Sequence, residues 1–327
     1  MRKVSSQAVL VTLIAGLGFA AAGCSQVDKF QAYMHIKDAH TAYAQQDYRG
    51  AATAYEEAVL NEELASGDPR LSPAYFYLAN SYDNMYRPTR RGEATNDEYL
   101  NKAVQYYKKS ASVETDPIIK TRALQYLVGV YGGDKLNDPA QSEPVIQQLI
   151  QMDPKDTTNY TALARLYEDN GDYENAEATL MKAREMAPNA PEVYLTIAGY
   201  YERQDNFEKQ IEALETRATK DPNNPEAYYT LAVNYWNKAY RDFRLSEAEK
   251  VKFVATGVQQ IDKALAINKD YQDALVYKGL LLRLQANLDK NPARQQALLR
   301  EAQVLSDRAE ELRKARAAAP AAPAGGQ

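Results

Sequence analysis

Cysteine is almost missing from this chain: 327 residues hold one, Cys24. That excludes an intrachain disulfide and a zinc cage built from cysteines. Histidine is nearly as scarce. His35 and His40 stand five apart, about 140° around a helix rather than at the i, i+4 spacing of a helical metal pair, so no metal ligand is expected. No G-x-x-x-x-G-K-[ST] loop or nucleophile elbow occurs. Tyr131-Gly132-Gly133-Asp134 reads as a helix-ending turn whose glycines are free to take left-handed angles. Carboxylates are scattered over helix surfaces. No catalytic residue and no cofactor are therefore expected, and the chain does not read as an enzyme. Charge of one sign is lacking too: 44 acidic and 39 basic residues, well mixed, give a net charge of -5. That speaks against a nucleic-acid partner, which calls for a basic face.

Long apolar runs are also absent. Ala8 to Ala22, interrupted by Thr12, covers about 15 residues, short of the roughly 20 a membrane-spanning helix needs. Arg2 and Lys3 precede this run, and Ala20, Ala21, Ala22 and Gly23 end it just before Cys24. A basic start, a short apolar core and a small-residue end form an export signal. The segment resembles the lipobox of bacterial lipoproteins. Ala22-Gly23-Cys24 matches its last three places, and Ala21 stands where leucine is commoner. The resemblance implies cleavage before Cys24, lipid (a diacylglycerol and a palmitate-type acyl chain) on that residue, and attachment to the bacterial membrane facing the periplasm. Ser25 in place of Asp implies the outer membrane where one exists. Two readings stay open beside it: ordinary cleavage after Ala22, releasing a soluble exported protein, and an uncleaved anchor with an inert cysteine.

What is abundant is tyrosine, 25 residues against 6 Phe and 1 Trp, and it recurs with a period. Pro154, Pro188 and Pro222 lie 34 residues apart. After each of them one quartet repeats at the i, i+3, i+4, i+7 spacing of a single helix face. It reads Tyr160, Leu163, Ala164, Tyr167, then Tyr194, Ile197, Ala198, Tyr201, and Tyr228, Leu231, Ala232, Tyr235. Tyr75, Leu78, Ala79, Tyr82 is an earlier copy, and Leu124, Leu127, Val128, Tyr131 a looser one. Gly171-Asp172 breaks the helix, and Tyr173, Ala176, Leu180 and Ala183 mark a second. Ser72-Pro73 and Asn224-Pro225 read as capped helix starts. A 34-residue helix-turn-helix repeat of this form resembles the tetratricopeptide repeat.

By register the repeats number about seven. In the first, a helix over Gln31 to Ala44 places His35 and Asp38 where large residues belong, as a solvent-facing terminal unit would. In the fifth, Gln210 and Arg217 occupy places where small residues are usual. The expected organisation is a lipoprotein signal over 1–23, a lipidated tether over 24–28, repeats over 29–316 and a disordered Ala/Pro/Gly tail over 317–327. The fold class is all-α, a right-handed superhelical solenoid. Insertions lengthen the turn of the second unit at "YRPTRRGEATNDEYL", where Arg87, Arg90 and Arg91 could meet an acidic partner or a phosphate, and the sixth at "KAYRDFRLSEAEKVKF".

In the family the first helix of each unit lines a concave groove. Carried across, that register names Ile36, His40 and Tyr43; Phe76, Asn80 and Asp83; and Gln125. It continues with Thr161, Arg165 and Glu168; Leu195 and Glu202; and Tyr229, Val233 and Trp236. These are candidate partner-binding residues, with packing between helices as the competing role. The expected function is a lipid-anchored scaffold that holds other envelope proteins or peptides, in outer-membrane, secretion, pilus or cell-wall assembly. The alternatives are a repeat protein sensing a small ligand and a non-catalytic subunit of an envelope enzyme.

Overall fold

A computed structural model describes residues 7–318, with side chains from 26 to 317. Residues 1–6 of the expected signal, residues 319–327 of the expected tail and the side chain of Cys24 lie outside the described residues. Among the described residues there are fifteen α-helices and no strand. α1 (Gln7–Ala44) packs on α2 (Tyr48–Ala58), and α3 (Glu62–Gly67) is a short extra helix of six residues. α4 (Pro73–Met85) pairs with α5 (Ala94–Val113), α6 (Pro117–Tyr131) with α7 (Pro139–Met152). α8 (Thr157–Asp169) and α9 (Tyr173–Met186) follow, then α10 (Pro191–Arg203) with α11 (Phe207–Lys220). α12 (Pro225–Arg241) pairs with α13 (Glu247–Ile267), and α14 (Gln272–Leu288) with α15 (Pro292–Ala318). These are the seven helical hairpins of the repeat, an all-α helical-repeat fold. They divide into two compact units, unit 1 over residues 1–176 and unit 2 over 177–327.

The repeated quartet makes the core. Tyr75, Leu78, Ala79 and Tyr82 are all buried on α4, as are Tyr194, Ile197, Ala198 and Tyr201 on α10. Alanine sits where helices approach closely, and larger side chains fill the space beside it. Glycine serves where even alanine is too large. A Cβ on Gly257 of α13 would stand 2.8 Å from Leu281 Cδ2 and 3.4 Å from Tyr235 Cβ.

The tyrosine hydroxyls have their own repeated roles. In two units the first tyrosine of the quartet ties down the preceding proline turn: Tyr160 donates to the carbonyl of Pro154 at 3.1 Å, and Tyr194 to that of Pro188 at 2.8 Å. The last tyrosine reaches a glutamate on the second helix of the hairpin before it. Tyr82 donates to Glu56 at 2.5 Å, Tyr167 to Glu143 at 2.7 Å, Tyr201 to Glu177 at 2.6 Å and Tyr235 to Glu215 at 3.4 Å. A lysine joins two of these links. Lys102 Nζ lies 2.9 Å from the Tyr82 hydroxyl and 3.2 Å from Glu56, and Lys209 Nζ lies 2.7 Å from Glu177. Burial, and then the glutamate, push the Tyr82 and Tyr201 hydroxyls up to about 12. The Lys209 and Tyr201 hydrogen bonds lower the Glu177 carboxyl, so the link holds an ionised acceptor against a neutral phenol.

Several local features depart from the sequence reading. α1 starts at Gln7 rather than Gln31 and carries residues 24–28 as helix. No proline interrupts that stretch. No helix among the described residues is long and apolar enough to cross a membrane. Ser72 does not cap α4: its backbone is already helical and its hydroxyl donates to buried Glu114 at 3.1 Å. Asn224 does cap, accepting from the Glu226 N–H. The Gly132-Gly133 turn needs no left-handed glycine, because Asn137 takes the positive φ (54°) instead. Gln46 (62°), Gly171 (78°) and Asp205 (51°) fill the corresponding place in other hairpins. Each is followed by the Asp or Asn that starts the next helix.

The sixth-unit insertion is mostly helix, lengthening α12 and α13 and leaving the short turn 242–246, closed by a Ser246–Glu249 capping box. The polar pair of the fifth unit is buried with partners: Gln210 Nε2 donates to Asn234 at 2.8 Å, and Arg217 lies 3.6 Å from Glu226.

Candidate functional site

Some of the predicted groove positions gather into one aromatic group in each unit. In unit 1, Tyr43 of α1 donates its hydroxyl to Asn80 Oδ1 of α4 at 2.5 Å. Asn80 Nδ2 donates to the Tyr107 hydroxyl of α5 at 3.1 Å, and Asn84 Nδ2 donates to Asn80 Oδ1 at 2.8 Å. Burial raises the Tyr43 and Tyr107 phenols, so both stay neutral. Phe76 is 6% exposed, with the rings of Tyr77, Tyr107 and Tyr126 centred 5.3, 5.9 and 5.5 Å away. Asp83 pairs with Lys135. His40 Nδ1 meets the Tyr55 hydroxyl at 2.7 Å, and burial lowers the imidazole pKa, favouring the neutral ring. His35 is engaged elsewhere, 2.9 Å from Glu57. Tyr43, Phe76 and Asn80 are brought together, but the hydroxyls of Tyr43 and Tyr107 and the amide of Asn80 are already bonded to one another.

The same register on α12 of unit 2 is half-buried. Tyr229 of α12 lies against Tyr271 and Tyr277, at 5.2 and 5.5 Å between ring centres. Trp236 meets the edge of Tyr277 at 5.7 Å and stacks on Tyr240 at 4.8 Å with 12° between the planes. Val233 is half-buried on the same helix. Tyr240 is 63% exposed and Phe243, in the turn after α12, 88% exposed. Beside this face is a cleft of about 420 Å³ lined by Phe207, Gln210, Asn234, Asn237, Arg241 and Phe243. Its rim is held in place by Asp242, which accepts from Arg244 Nε and Nη2, both at 2.9 Å, and lies 3.0 Å from Lys238 Nζ. Those cations, Arg244 first, hold the Asp242 carboxyl well below the usual range. Such a surface places flat rings beside a polar cleft.

The remaining candidates join neither group. Arg165 and Glu168 lie within 3.8 Å of each other on α8, and Arg165 also reaches Asp169 at 3.1 Å. Gln125, Leu195 and Glu202 are exposed, and Ile36 and Thr161 half-buried. Sequence reasoning missed Tyr77, Tyr107, Tyr126, Tyr240, Tyr271 and Tyr277. Tyr240 carried a readable signal, four residues after Trp236, but only if α12 is extended into the expected insertion.

A family model for the tetratricopeptide repeat matches residues 135–200. Among solved structures, the C-terminal part of a tetratricopeptide-repeat-containing protein from Cytophaga hutchinsonii is similar at 12% identity and a TM-score of 0.53. The match covers 85% of this chain and 98% of that one. A tetratricopeptide repeat protein from Parabacteroides merdae is similar at 14% identity and a TM-score of 0.44, covering 84% and 99%. YrrB, described as a protein of this repeat class with an unusual peptide-binding site, is similar at 18% identity and a TM-score of 0.40, covering 64% and 96%. At these identities the likeness is one of fold. No curated protein matches the chain in sequence.

Proposed function

We propose that this chain, a tetratricopeptide-repeat protein, is a non-catalytic interaction scaffold, held to the bacterial envelope by lipid on Cys24. Stacked helical hairpins present extended surfaces, and each hairpin needs only its neighbours for support. The observation that carries the reading is the half-buried Trp236 stacked under the exposed Tyr240, beside the polar cleft of unit 2. Tryptophan and tyrosine dominate binding hot spots because they bury large areas with few rotatable bonds. The partner is a peptide or surface of another envelope protein, laid across α12. The lipid reading rests on the sequence around Cys24, and two acyl groups or more give stable attachment where one is marginal.

The test is crosslinking of the tagged full chain in intact cells. Trp236→Ala with Tyr240→Ala should remove the main adducts while the purified protein keeps its helix content and melting temperature. Adducts indifferent to both changes would overturn the reading. For the anchor, a fatty-acid analogue should label the wild type and not Cys24→Ala; label surviving the substitution refutes it.

A further inference from the structure

We infer a second docking site, in unit 1, that takes a carboxylate side chain from an acidic segment of a partner protein. It lies apart from the Trp236 face in residues and in chemistry. A pocket of about 360 Å³ opens between the start of α2, the end of α4 and the start of α5. Arg49, Arg87 and Arg90 line it together with Tyr48, Met85 and Tyr99.

The three arginines are not equivalent. Arg90 is neutralised by Glu93, which takes its Nε at 2.9 Å and its Nη2 at 2.5 Å. Arg49 and Arg87 have no carboxylate partner among the described residues. Arg49 has its side chain steadied by a neutral group, donating from Nη2 to the Tyr99 hydroxyl at 3.3 Å. Arg87 donates from Nη1 to the carbonyls of Asn84 at 2.7 Å and Tyr86 at 3.2 Å. Its Nε–Nη2 edge is left unbonded, the edge that grips a carboxylate with two parallel hydrogen bonds.

The loop that presents Arg87 is fixed from below. Asn96 is buried. It accepts from the Arg87 N–H at 2.9 Å and donates to the carbonyls of Arg87 and Arg90, both at 3.1 Å. The Gly92 N–H is held by Asp97 at 3.0 Å. A loop held this way loses little freedom when a ligand arrives, so its arginines are preorganised.

The charge balance selects the ligand. Asp47 also lines the pocket, its Oδ1 accepting from the Gly50 N–H at 3.0 Å. With Arg90 neutralised by Glu93, Arg49 and Arg87 against Asp47 leave one surplus positive charge, which suits a monoanionic carboxylate better than a dianionic phosphate. Tyr48, Met85 and Tyr99 supply apolar walls for the stem of an aspartate or glutamate.

The probe is a fluorescein-labelled nonapeptide of alternating Glu and Gly, titrated by polarisation into the full chain in detergent, alongside the same peptide with phosphoserine for Glu. The Glu peptide should bind saturably and weaken as salt rises. Arg49→Gln with Arg87→Gln should lower its affinity by about tenfold or more, the scale of a lost charge-assisted fork. Arg122→Gln, at an exposed arginine elsewhere in unit 1, and Trp236→Ala should leave it unchanged. If the double variant melts early, Arg49→Gln alone carries the test, since its side chain gives up only the Tyr99 contact. Absence of saturable binding, an equal loss in Arg122→Gln or Trp236→Ala, or tighter binding of the phosphoserine peptide overturns the proposal. The Trp236 face stands or falls separately, in the crosslinking experiment.

Discussion

Phe76, Asn80 and Asp83 of α4 occupy the same places, relative to the repeated quartet, as Tyr229, Val233 and Trp236 of α12. One register gives two outcomes. On α4 the central residue is an amide, and it draws Tyr43, Tyr107 and Asn84 into hydrogen bonds. The group closes on itself, with Phe76 buried beneath and Asp83 paired with Lys135. On α12 the central residue is valine, which organises no such network. The aromatics there meet only through ring contacts, and the helix runs on to Arg241, carrying Tyr240 into solvent. A groove position in this repeat is therefore not a binding position by virtue of register. What its middle residue can hydrogen-bond decides whether neighbouring rings turn inward or stay available.

The sharpest way to break that comparison is to remove the two central side chains. Asn80→Ala strands the buried Tyr107 hydroxyl and takes the acceptor from Tyr43, so urea unfolding should show unit 1 losing about 3 kcal/mol. Val233→Ala, on the half-buried equivalent, should cost about 1 kcal/mol. Equal losses would mean that the amide network does not hold the first group together.

Acid should separate the units next. Both histidines lie in unit 1. Burial lowers the His40 pKa in the fold, so the unfolded chain takes up this proton first as pH falls. The stability linked to it is fully present above the ordinary histidine value, about 6.5, and declines as pH drops through that value toward the depressed one. Chemical denaturation between pH 7.5 and 5, on the order of the range a histidine titrates over, should show unit 1 weakening. His40→Gln should flatten that slope. A slope unchanged by the substitution refutes the assignment.

The smallest effect should be the same in both units. Gln46 and Asp205 hold left-handed backbone angles that glycine adopts without strain. Gln46→Gly in unit 1 and Asp205→Gly in unit 2 should each raise stability by about 0.5 kcal/mol in thermal melts. A gain in only one unit would show that these turns, unlike the aromatic groups, are not equivalent.

The helical hairpins and their buried quartets were legible in the sequence, because burial on a helix face follows backbone periodicity. Tyr194, Ile197, Ala198 and Tyr201 needed only their spacing to be placed in the core. What the side-chain tips bond to recurs from unit to unit but is not set by the spacing along one helix, because the partner lies on another. The link from Tyr201 to Glu177 spans 24 residues, and the one from Tyr235 to Glu215 spans 20. Neither follows from the pattern of either helix alone. The left-handed turns were readable at Gly171 and hidden at Gln46, Asn137 and Asp205, where the tertiary fold overrides residue preference. Of the candidate site, the register located Tyr229 and Trp236. It could not distinguish the buried Phe76 from the half-buried Tyr229, because that depends on Tyr107 and Tyr126 arriving from other helices.

The unbroken α1 gives the proposed tether a mechanical meaning. A pull at residue 24 acts along a helix that continues to Ala44 and lies against α2. Lys29 and Tyr33 hold Asp68, His35 holds Glu57 and His40 holds Tyr55 along its length. Tension along the helix loads these contacts in shear, so they resist together instead of peeling one after another. The hairpin next to that proposed tether is thus suited to carry force into the repeats behind it, and its unfolding rate under load, rather than its equilibrium stability, sets how long it holds.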